Sequence, residues 1–379
     1  MRLAYVLERY PELSQTFVED ELRELRRQGD DIEVLALAPG EHAELSEPAF
    51  EPRYPPSAVS RLAALANVTA RQPGLVAAWS RRAQPWPSDG RRLRGLARIA
   101  PWMASAAAAD HLHSHFATEA ADIAALLGRL GGRPHSFTGH STDLFADAAG
   151  LRRRLEQAAF AVLVCEYDRR AAERLAPGIG VLHVVQLGVD LERLSRRAPY
   201  DPDGPVIAVG RLVEQKGLAD LVSVAGELGR PLTVVGDGQL RPLLDHGRAD
   251  LRGALPPEEV ASLIESASVL VAPSVVAKDG SRDGIPMVLK EALALGVPVV
   301  ASDAVGNPEV VEDAWGALYP AGDRRELATA IKTLLARPPG ERETMGRAGR
   351  AFAERELDLR RQTAKLRELF AASASAGST

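Results

Sequence analysis

The pattern of apolar and polar positions predicts a chain of alternating strands and helices. An apolar run at residues 3–7 predicts a buried strand, and a helix follows from about residue 15 to residue 28. Phe17, Leu22 and Leu25 lie on one side of that helix, and Gly29 ends it. A second strand at 32–37 completes a strand–helix–strand unit, the connection from which parallel sheets are built.

The alternation continues through the first half of the chain. Helical, alanine-rich segments occupy about 60–82 and 91–110 and form an insertion. The later strands of this half are predicted at 111–116, 135–138, 160–164 and 181–185, with helices between them at 118–130, 150–159 and 167–175. Residues 190–204 carry Pro199, Pro202 and Gly204, and we interpret them as an interdomain linker.

The second half repeats the pattern more cleanly. Its strands are predicted at 206–209, 231–235, 249–252, 268–272, 297–301 and 315–318, and helices at about 322–336 and 339–370 precede a disordered Ser/Ala/Gly tail. We therefore predict an α/β fold with two doubly wound, Rossmann-like domains that face each other across a cleft. The predicted domains are 1–190 and 205–355, and the helix of segment 356–379 packs back toward the first domain. Ligands of such sheets bind outside the carboxyl ends of the strands, so we expect a site in the cleft.

Composition narrows the class of protein. The net charge of −5 argues against a nucleic-acid partner, because phosphate neutralisation needs clustered positive charge. With one cysteine, Cys165, the chain can form neither a disulfide framework nor a cysteine metal cluster. No apolar stretch approaches the length of a membrane span. These features predict a cytoplasmic protein, attached at most peripherally to the inner face of the membrane.

Aromatic and basic residues are interleaved in the segment 79–102, which holds Trp79, Trp86 and Trp102 among several arginines. This composition suits an anionic membrane surface or a polyprenyl-diphosphate acceptor. A helical insertion with its arginines in water and its tryptophans in a local core fits the same composition.

Two acidic residues, Asp283 and Glu291, stand eight positions apart around a Gly-Ile-Pro turn. On one helix this spacing would place both carboxylates on nearly the same face, with N–H groups of the turn and helix N-terminus available to a phosphate. Glu291 would then suit a ribose diol, and Asp283 the hydroxyls of a sugar. The pattern also fits an ordinary helix with Asp283 as its N-cap and Glu291 in water.

Two cations, Arg211 and Lys216, flank a loop that directly follows the strand at 206–209. Both side chains can reach a diphosphate there, arginine with its planar fork and lysine as a point charge. A solvated basic loop is the other interpretation, but two anion-suited loops in one domain favour a functional one. In the first half, His140 follows a strand end and can hydrogen-bond a sugar or polarise a hydroxyl.

Three further patterns indicate sites less strongly. His111, His113 and His115 share one face of a strand, as metal ligands would, but no carboxylate or cysteine accompanies them in sequence, and a polar strand end facing the cleft explains them too. The acids of 201–203 fit a turn better than a metal motif because a proline separates them. The glycines of 236–238 lack the remainder of a dinucleotide fingerprint.

Together, these segments resemble the family 4 glycosyltransferases of the GT-B fold. The resemblance in the second half rests on Gly-Arg-Leu-Val-Glu-Gln-Lys-Gly at 210–217, Pro-Ser at 273–274, Asp-Gly-Ile-Pro-Met-Val-Leu-Lys-Glu-Ala at 283–292 and Gly-Val-Pro-Val-Val at 296–300. In the first half, the segments 10–17, 113–116 and 136–140 are similar to the colanic-acid and exopolysaccharide subgroup. The resemblance extends from residue 1 to about residue 355.

The resemblance implies a retaining glycosyltransferase. It would move a sugar from a UDP-, GDP- or related nucleotide sugar to a hydroxyl of a saccharide acceptor, lipid-linked in polysaccharide biosynthesis, without a metal or other cofactor. By the same resemblance, Arg211 and Lys216 would hold the leaving diphosphate and the backbone of Gly284 and Ile285 would bind the phosphate. Glu291 would bind the ribose.

The resemblance also implies roles near the transferred sugar. Asp283 would contact the donor sugar, and His140 would lie near the reacting sugar. Ser14, Gln15 and Thr16 would occupy a first-domain loop that touches the phosphates or the acceptor. The family pattern normally has glutamate where this chain has Asp283, and this loop lacks the paired glycines common in the family, so close backbone approach to a phosphate is less assured.

Other functions remain open at the level of sequence. The acceptor could be a small natural product, such as an aminocyclitol or antibiotic core. A sugar-nucleotide epimerase on a similar two-domain fold would consume the donor without an acceptor. An inactive nucleotide-sugar-binding protein, with Asp283 as the lesion, would bind a donor without turnover.

Overall fold

Two parallel six-stranded sheets, one in each half of the chain, form the framework of the protein. The computed structural model describes residues 1–41, 43–45, 48–71, 73–74, 98–245 and 247–376. The architecture confirms the predicted α/β fold with two Rossmann-like sheets.

The first sheet has the strand order β2-β1-β3-β4-β5-β6. Its strands are β1 (Arg2–Arg9), β2 (Asp31–Ala38), β3 (His111–His115), β4 (His135–Gly139), β5 (Phe160–Leu163) and β6 (Leu182–Val184). The α-helices described in this part of the chain are α1 (Thr16–Arg27), α2 (Ala58–Arg71), α3 (Met103–Ala108), α4 (Glu119–Gly131), α5 (Thr142–Ala146), α6 (Ala148–Gln157) and α7 (Glu166–Leu175).

The first strand–helix–strand unit folds as its apolar pattern predicts. Residues 3–7 of β1 are almost completely buried, because helices cover both faces of the sheet. Val18, Leu22 and Leu25 of α1 are buried against the sheet, whereas Phe17 is only partly buried. Gly29 follows the helix with a φ of 94°, a left-handed conformation that favours glycine.

The second sheet has the strand order β12-β11-β10-β7-β8-β9. Its strands are β7 (Val206–Val209), β8 (Leu232–Val235), β9 (Asp250–Leu251), β10 (Val269–Ala272), β11 (Val299–Ser302) and β12 (Gly316–Tyr319). The α-helices described here are α8 (Leu218–Val224), α9 (Arg241–Leu244), α10 (Pro257–Glu265), α11 (Met287–Ala294), α12 (Arg324–Leu335) and α13 (Pro339–Glu356). A last helix, α14 (Leu359–Ala376), follows α13.

The C-terminal region differs from the sequence prediction of one helix at 339–370. The helix is interrupted at Leu357, whose carbonyl accepts a hydrogen bond from the N–H of Val189, while Leu359 N–H donates to the carbonyl of Val189. The chain therefore returns to the first domain next to Val189, where it had first passed toward the second domain. After the break, α14 packs on the first domain, with Phe370 against Tyr5, and it continues through residue 376, into the segment predicted as a tail.

Candidate active site

The carboxyl ends of the two sheets face each other, and loops from both sides are in contact. Thr142, at the start of α5, donates its hydroxyl to the carbonyl of Arg282 at 2.6 Å and accepts the Arg282 N–H at 2.9 Å. From the second domain, the carboxylate of Glu309 accepts the N–H groups of Glu166 and Tyr167 at 2.9 and 2.8 Å. These two N–H groups form the N-terminus of α7, so a side chain of one domain caps a helix of the other.

The loop 210–217 after β7 is held in place by a glycine. Gly217 has a φ of 64°, and a Cβ atom there would lie 1.8 Å from the carbonyl oxygen of Pro273. Only glycine allows this close approach of two strand-end loops. The approach brings Lys216, beside the glycine, to Asp283, with 2.8 Å between Nζ and Oδ2.

Asp283 is fixed by three side chains of its own domain. Besides the ion pair with Lys216, it accepts longer hydrogen bonds of 3.4 Å from Gln215 and from Ser274. The proposed helical spacing of the two acids is wrong, because α11 begins only at Met287 and Asp283 lies in the preceding loop. The alternative in which Asp283 caps the helix is also wrong, since Pro286 occupies the N-cap position.

Two backbone N–H groups around Gly284 have no partner among the described residues. Within the described residues, the N–H groups of Gly284 and Ile285 donate no hydrogen bond, and they precede the N-terminus of α11. A Cβ atom on Gly284 would lie 2.9 Å from Oγ of Ser141 and 3.3 Å from a carboxylate oxygen of Asp168. The missing side chain therefore lets the second-domain turn approach the first domain next to His140.

Arg211 is the exposed cation of this half of the site. Lys216 is paired with Asp283, but the Arg211 guanidinium makes no hydrogen bond or ion pair within the described part of the chain. Its position at the end of β7 leaves five N–H donors for an anion.

Glu291 lies in the middle of α11 and is not freely solvated. Burial raises the pKa of its carboxyl to about 7, with Asp20 adding to the rise and Arg193 opposing it. Arg193, in the linker, donates to Asp20 of α1 at 2.9 Å. A ligand that binds Glu291 would therefore meet residues from both domains and from the linker.

His140 lies at the end of β4, between two aromatic rings. Its ring centroid is 4.9 Å from that of Phe17 and 4.4 Å from that of Phe116. Burial lowers the pKa of His140 well below its usual range, with His115 and Lys290 adding to the effect, so the ring is neutral. Its backbone N–H donates to Asp143, whose other oxygen accepts the N–H of Ala117, which ties two strand-end loops together.

Among the described residues, non-glycine positions with left-handed backbone conformations are concentrated in the loops that face the cleft. Within the described residues, the non-glycine positions with positive φ are Phe116 at 71°, Ser141 at 71° and Val305 at 52°. They follow β3, β4 and β11, respectively. Such conformations cost about 1–3 kcal/mol each and persist where the surrounding contacts hold them, often at functional sites.

The three alternating histidines form an internal column and not a polar strand end. His111 and His113 are completely buried, and Ser136 lies 2.7 Å from a ring nitrogen of each. A carboxylate, absent from the sequence pattern, does accompany them: Glu21 of α1 lies 3.1 Å from His115. Ligand atoms of Glu21, His113 and His115 lie within 4.8 Å of one another, yet each of these residues already has hydrogen-bond partners within the protein. The expectation of no metal stays a prediction.

The weaker sequence patterns have structural explanations. The carboxylate of Asp201 accepts the N–H of Asp203, and the backbone carbonyl of Asp201 accepts the N–H of Gly204. These two hydrogen bonds form the predicted turn. Gly236, with a φ of 135°, lets the loop after β8 approach Gly210, since a Cβ there would lie 2.0 Å from the Gly210 carbonyl oxygen.

The first-domain loop with Ser14, Gln15 and Thr16 lies between β1 and α1, at the same end of the sheet as His140. Ser14 is exposed and its hydroxyl lies 3.3 Å from Glu12. Gly40 packs against this loop, where a Cβ would lie 2.2 Å from the Pro11 carbonyl oxygen. These residues stay predicted site residues.

Two charged residues between the domains, Lys290 and Glu309, were not predicted from the sequence. Lys290 of α11 is completely buried and donates to the carbonyl of Leu187 at 2.8 Å, and burial lowers its pKa to about 8. Its signal in the sequence was a cation beside Glu291 in an otherwise apolar helix. Glu309 had no comparable signal, because its importance lies in contacts with the other domain.

The predicted membrane-contact segment lies mostly outside the described residues, which resume at residue 98. Trp102, at its end, is buried in the core of the first domain against α4, as the local-core interpretation expects. Arg98 donates to the carbonyl of Leu37 at 3.1 Å. None of the described helices combines the length and apolarity that crossing a bilayer requires.

Comparison with known proteins gives matches across both domains. The glycosyltransferase family 4 model matches residues 14–193, and the model of glycosyl transferases group 1 matches residues 204–337. The chain is 26% identical over 365 residues to the colanic acid biosynthesis glycosyltransferase WcaL of Escherichia coli strain K12, covering 87% of this chain and 90% of that protein. It is 32% identical over 210 residues to the amylovoran biosynthesis glycosyltransferase AmsK of Erwinia amylovora, covering 50% of this chain and 51% of that protein.

The fold is similar to that of a solved structure. Anabaena Alr3699/HepE, in complex with UDP and glucose, aligns with a TM-score of 0.73 at 18% identity, covering 98% of this chain and 100% of that one.

Proposed function

Because the chain belongs to family 4 of the glycosyltransferases and has the GT-B fold, we propose that it extends an exopolysaccharide with retention of the donor's anomeric configuration. It is a glycosyltransferase that uses a nucleotide-sugar donor. The observation that supports a transfer site between the domains is the contact of the Asp283 loop with the His140 loop, where Thr142 bonds Arg282 and Gly284 packs against Ser141. A sugar between these loops would touch both domains.

The proposed donor site uses charge for the leaving diphosphate. Arg211 and Lys216 neutralise the negative charge that grows on it, and the free N–H groups of Gly284 and Ile285 bind the phosphate. The Lys216 ammonium has three N–H donors and uses one for Asp283, so it can bind the Asp283 carboxylate and the diphosphate at the same time. Glu291 accepts from the ribose hydroxyls.

The proposed transfer occurs on one face of the donor sugar. The bond from the anomeric carbon to the diphosphate oxygen breaks, and a bond to the acceptor hydroxyl oxygen forms on that same face. The acceptor proton passes to the leaving phosphate oxygen, so neither a metal nor a protein nucleophile is required. Asp283 and His140 orient the sugar, and contact between the domains excludes water that would otherwise hydrolyse the donor.

The proposed acceptor is a lipid-linked saccharide. The relatives named for colanic acid and amylovoran biosynthesis support a polysaccharide product. The proposed donor is a UDP-sugar or a GDP-sugar. The structure of HepE in complex with UDP and glucose supports a UDP-sugar. Peripheral membrane contact through 79–102 belongs to this proposal.

A thermal-shift screen tests the donor site. UDP-, GDP-, ADP- and dTDP-sugars are added to the wild type, to Arg211→Ala and to Arg248→Ala, an exposed arginine near the opposite end of the second sheet. One nucleotide class should raise the Tm of the wild type and of Arg248→Ala, because a donor at 100 times its Kd stabilises by about 2.7 kcal/mol, and Arg211→Ala should respond much less. If no nucleotide sugar shifts the wild type at saturation, the donor-site proposal fails.

The product then tests the rest of the proposal. With the donor identified, polyprenyl-diphosphate-linked saccharides and free aminocyclitols are compared as acceptors, and NMR reads the new anomeric configuration. Transfer to the lipid-linked acceptor with retention supports the proposal. Inversion contradicts the same-face mechanism. Transfer to the aminocyclitol alone contradicts the proposal that the acceptor is a lipid-linked saccharide.

A further inference from the structure

A line of hydrogen bonds connects His140 to the interior of the first domain. Nε2 of His140 lies 2.9 Å from Nδ1 of His115, and Nε2 of His115 lies 3.1 Å from Oε1 of Glu21. The hydroxyl of Tyr5 lies 2.6 Å from the same Glu21 oxygen. The four residues come from the loop after β4, from β3, from α1 and from β1, so the line crosses the domain.

The chemistry of these groups sets the direction of each hydrogen bond. Burial, followed by the charge of Glu21, raises the pKa of Tyr5 well above its usual range, so the phenol keeps its proton and donates it to Glu21. A carboxylate only accepts, so His115 donates from Nε2. When His115 carries a single ring proton, on Nε2, its Nδ1 accepts, and His140 then donates from Nε2.

The other nitrogen of His140 is left as an acceptor. Its ring is neutral, so a proton on Nε2 leaves a lone pair on Nδ1. Within the described residues, Nδ1 of His140 makes no hydrogen bond. The atom is accessible to solvent. The rings of Phe17 and Phe116 hold the imidazole plane, and Phe116 adopts its left-handed φ of 71° in doing so.

We propose that Glu21 and His115 are positioning residues that fix His140 as its Nε2–H tautomer and so present Nδ1 as an acceptor to a sugar hydroxyl in the cleft. The opposite tautomer would present a donor and would lose that hydrogen bond. Glu21 is largely buried, with an exposed fraction of 8%, and its Oε1 accepts from Tyr5 and His115. We therefore expect it to act on the substrate through the two histidines. The role of the sugar hydroxyl rests on the proposed function, whereas the tautomer does not.

The tautomer is measurable without substrate. In protein labelled with ¹⁵N-histidine, long-range ¹H–¹⁵N spectra distinguish a protonated Nε2 from a protonated Nδ1, and the spectrum of His140→Gln assigns the His140 signals. We expect His140 to be neutral with its proton on Nε2. A proton on Nδ1, or on both nitrogens, overturns the proposal.

Two substitutions at Glu21 separate positioning from packing. Glu21→Gln keeps a carbonyl oxygen for the His115 N–H, so the His140 tautomer should be retained. Glu21→Leu removes the acceptor, so the proton preference of His115 is lost and a substantial His140 Nδ1–H population should appear. An unchanged tautomer in Glu21→Leu contradicts the proposal, and if that variant does not fold, the wild-type and Glu21→Gln spectra still decide it.

Kinetics then distinguish this inference from the proposed function. Glu21→Leu should lower kcat about tenfold with little change in the donor KM, and Glu21→Gln should restore most of it, as loss of one hydrogen bond predicts. If the tautomer changes as expected but kcat does not, the tautomer assignment stands and the proposed role of His140 in transfer fails. If kcat falls with no change of tautomer, the positioning role fails.

Discussion

The second-domain loops and the first-domain histidines face each other across the cleft but carry charge differently. On the second-domain side, Lys216 and Asp283 form an ion pair at 2.8 Å beside the exposed Arg211. On the first-domain side, His140 is neutral and connects through His115 to a buried carboxylate. The charged side chains therefore lie where the proposed diphosphate leaves. The neutral His140 ring, with its proposed acceptor nitrogen, lies where the proposed sugar hydroxyl binds.

The largest expected effect comes from removing charge on the second-domain side. Lys216→Ala removes a cation for the leaving group and leaves Asp283 without its ion-pair partner. We expect kcat/KM to fall by about 10²–10³, as for loss of one preorganised electrostatic group, measured by steady-state transfer assays. Arg248→Ala is the matched control and should be near wild type. A loss below tenfold in Lys216→Ala would contradict the charged half of the comparison.

The two sides of the cleft should also differ in pH dependence, because Glu291 titrates near neutrality and His140 does not. Burial raises the pKa of Glu291 to about 7, so its carboxylate is present above that pH. If the carboxylate binds ribose, donor affinity should improve up to about tenfold as pH rises from 6 to 8. The affinity of Glu291→Gln should be nearly flat over this range in titration calorimetry.

The ratio of variant to wild-type affinity isolates Glu291 from other groups that titrate nearby. Asp143 and Asp168, with pKa values of about 6, and Lys290, with a pKa of about 8, are present in both proteins. A ratio that does not change with pH would show that Glu291 does not bind the donor as its carboxylate.

The smallest effect is on the contact between the two halves. Glu309→Ala removes both hydrogen bonds to the N-terminus of α7, and loss of such a cap costs about 0.5–2 kcal/mol. We expect a lower Tm by differential scanning calorimetry, with a smaller decrease for Glu309→Gln, which keeps one acceptor oxygen. Equal Tm values for Glu309→Ala and the wild type would show that this contact does not contribute to the stability of the folded protein.

The strands and most helices could be predicted because local apolar periodicity determines them. Residues 3–7 form an apolar run and are buried in β1, and Gly29 ends α1 as predicted. The break between α13 and α14 could not be predicted, since no proline or glycine marks Leu357. It arises from hydrogen bonds to Val189, which is distant in sequence.

The candidate site could be predicted only in its parts. Strand-end positions identified Arg211, Lys216 and His140, but the spacing argument put Asp283 on a helix that begins four residues later. Contacts between the domains, such as that of Glu309 with the N-terminus of α7, could not be predicted, because they depend on which loops of the two domains pack together. Glu21 was visible in principle, as an acid four residues from Phe17 and from Leu25 on the buried face of α1.

Donor binding and sugar transfer, measured on the same two variants, separate the role of the charged half of the cleft from that of the neutral half. Titration calorimetry gives the Kd of the identified nucleotide sugar, and single-turnover kinetics give the transfer rate, for Lys216→Ala and for His140→Gln. We expect Lys216→Ala to weaken donor binding at least tenfold. His140→Gln should bind the donor within about threefold of wild type and transfer the sugar about tenfold more slowly. Unimpaired donor binding in Lys216→Ala, or wild-type transfer in His140→Gln, would contradict the division of the cleft into a charged half and a neutral half.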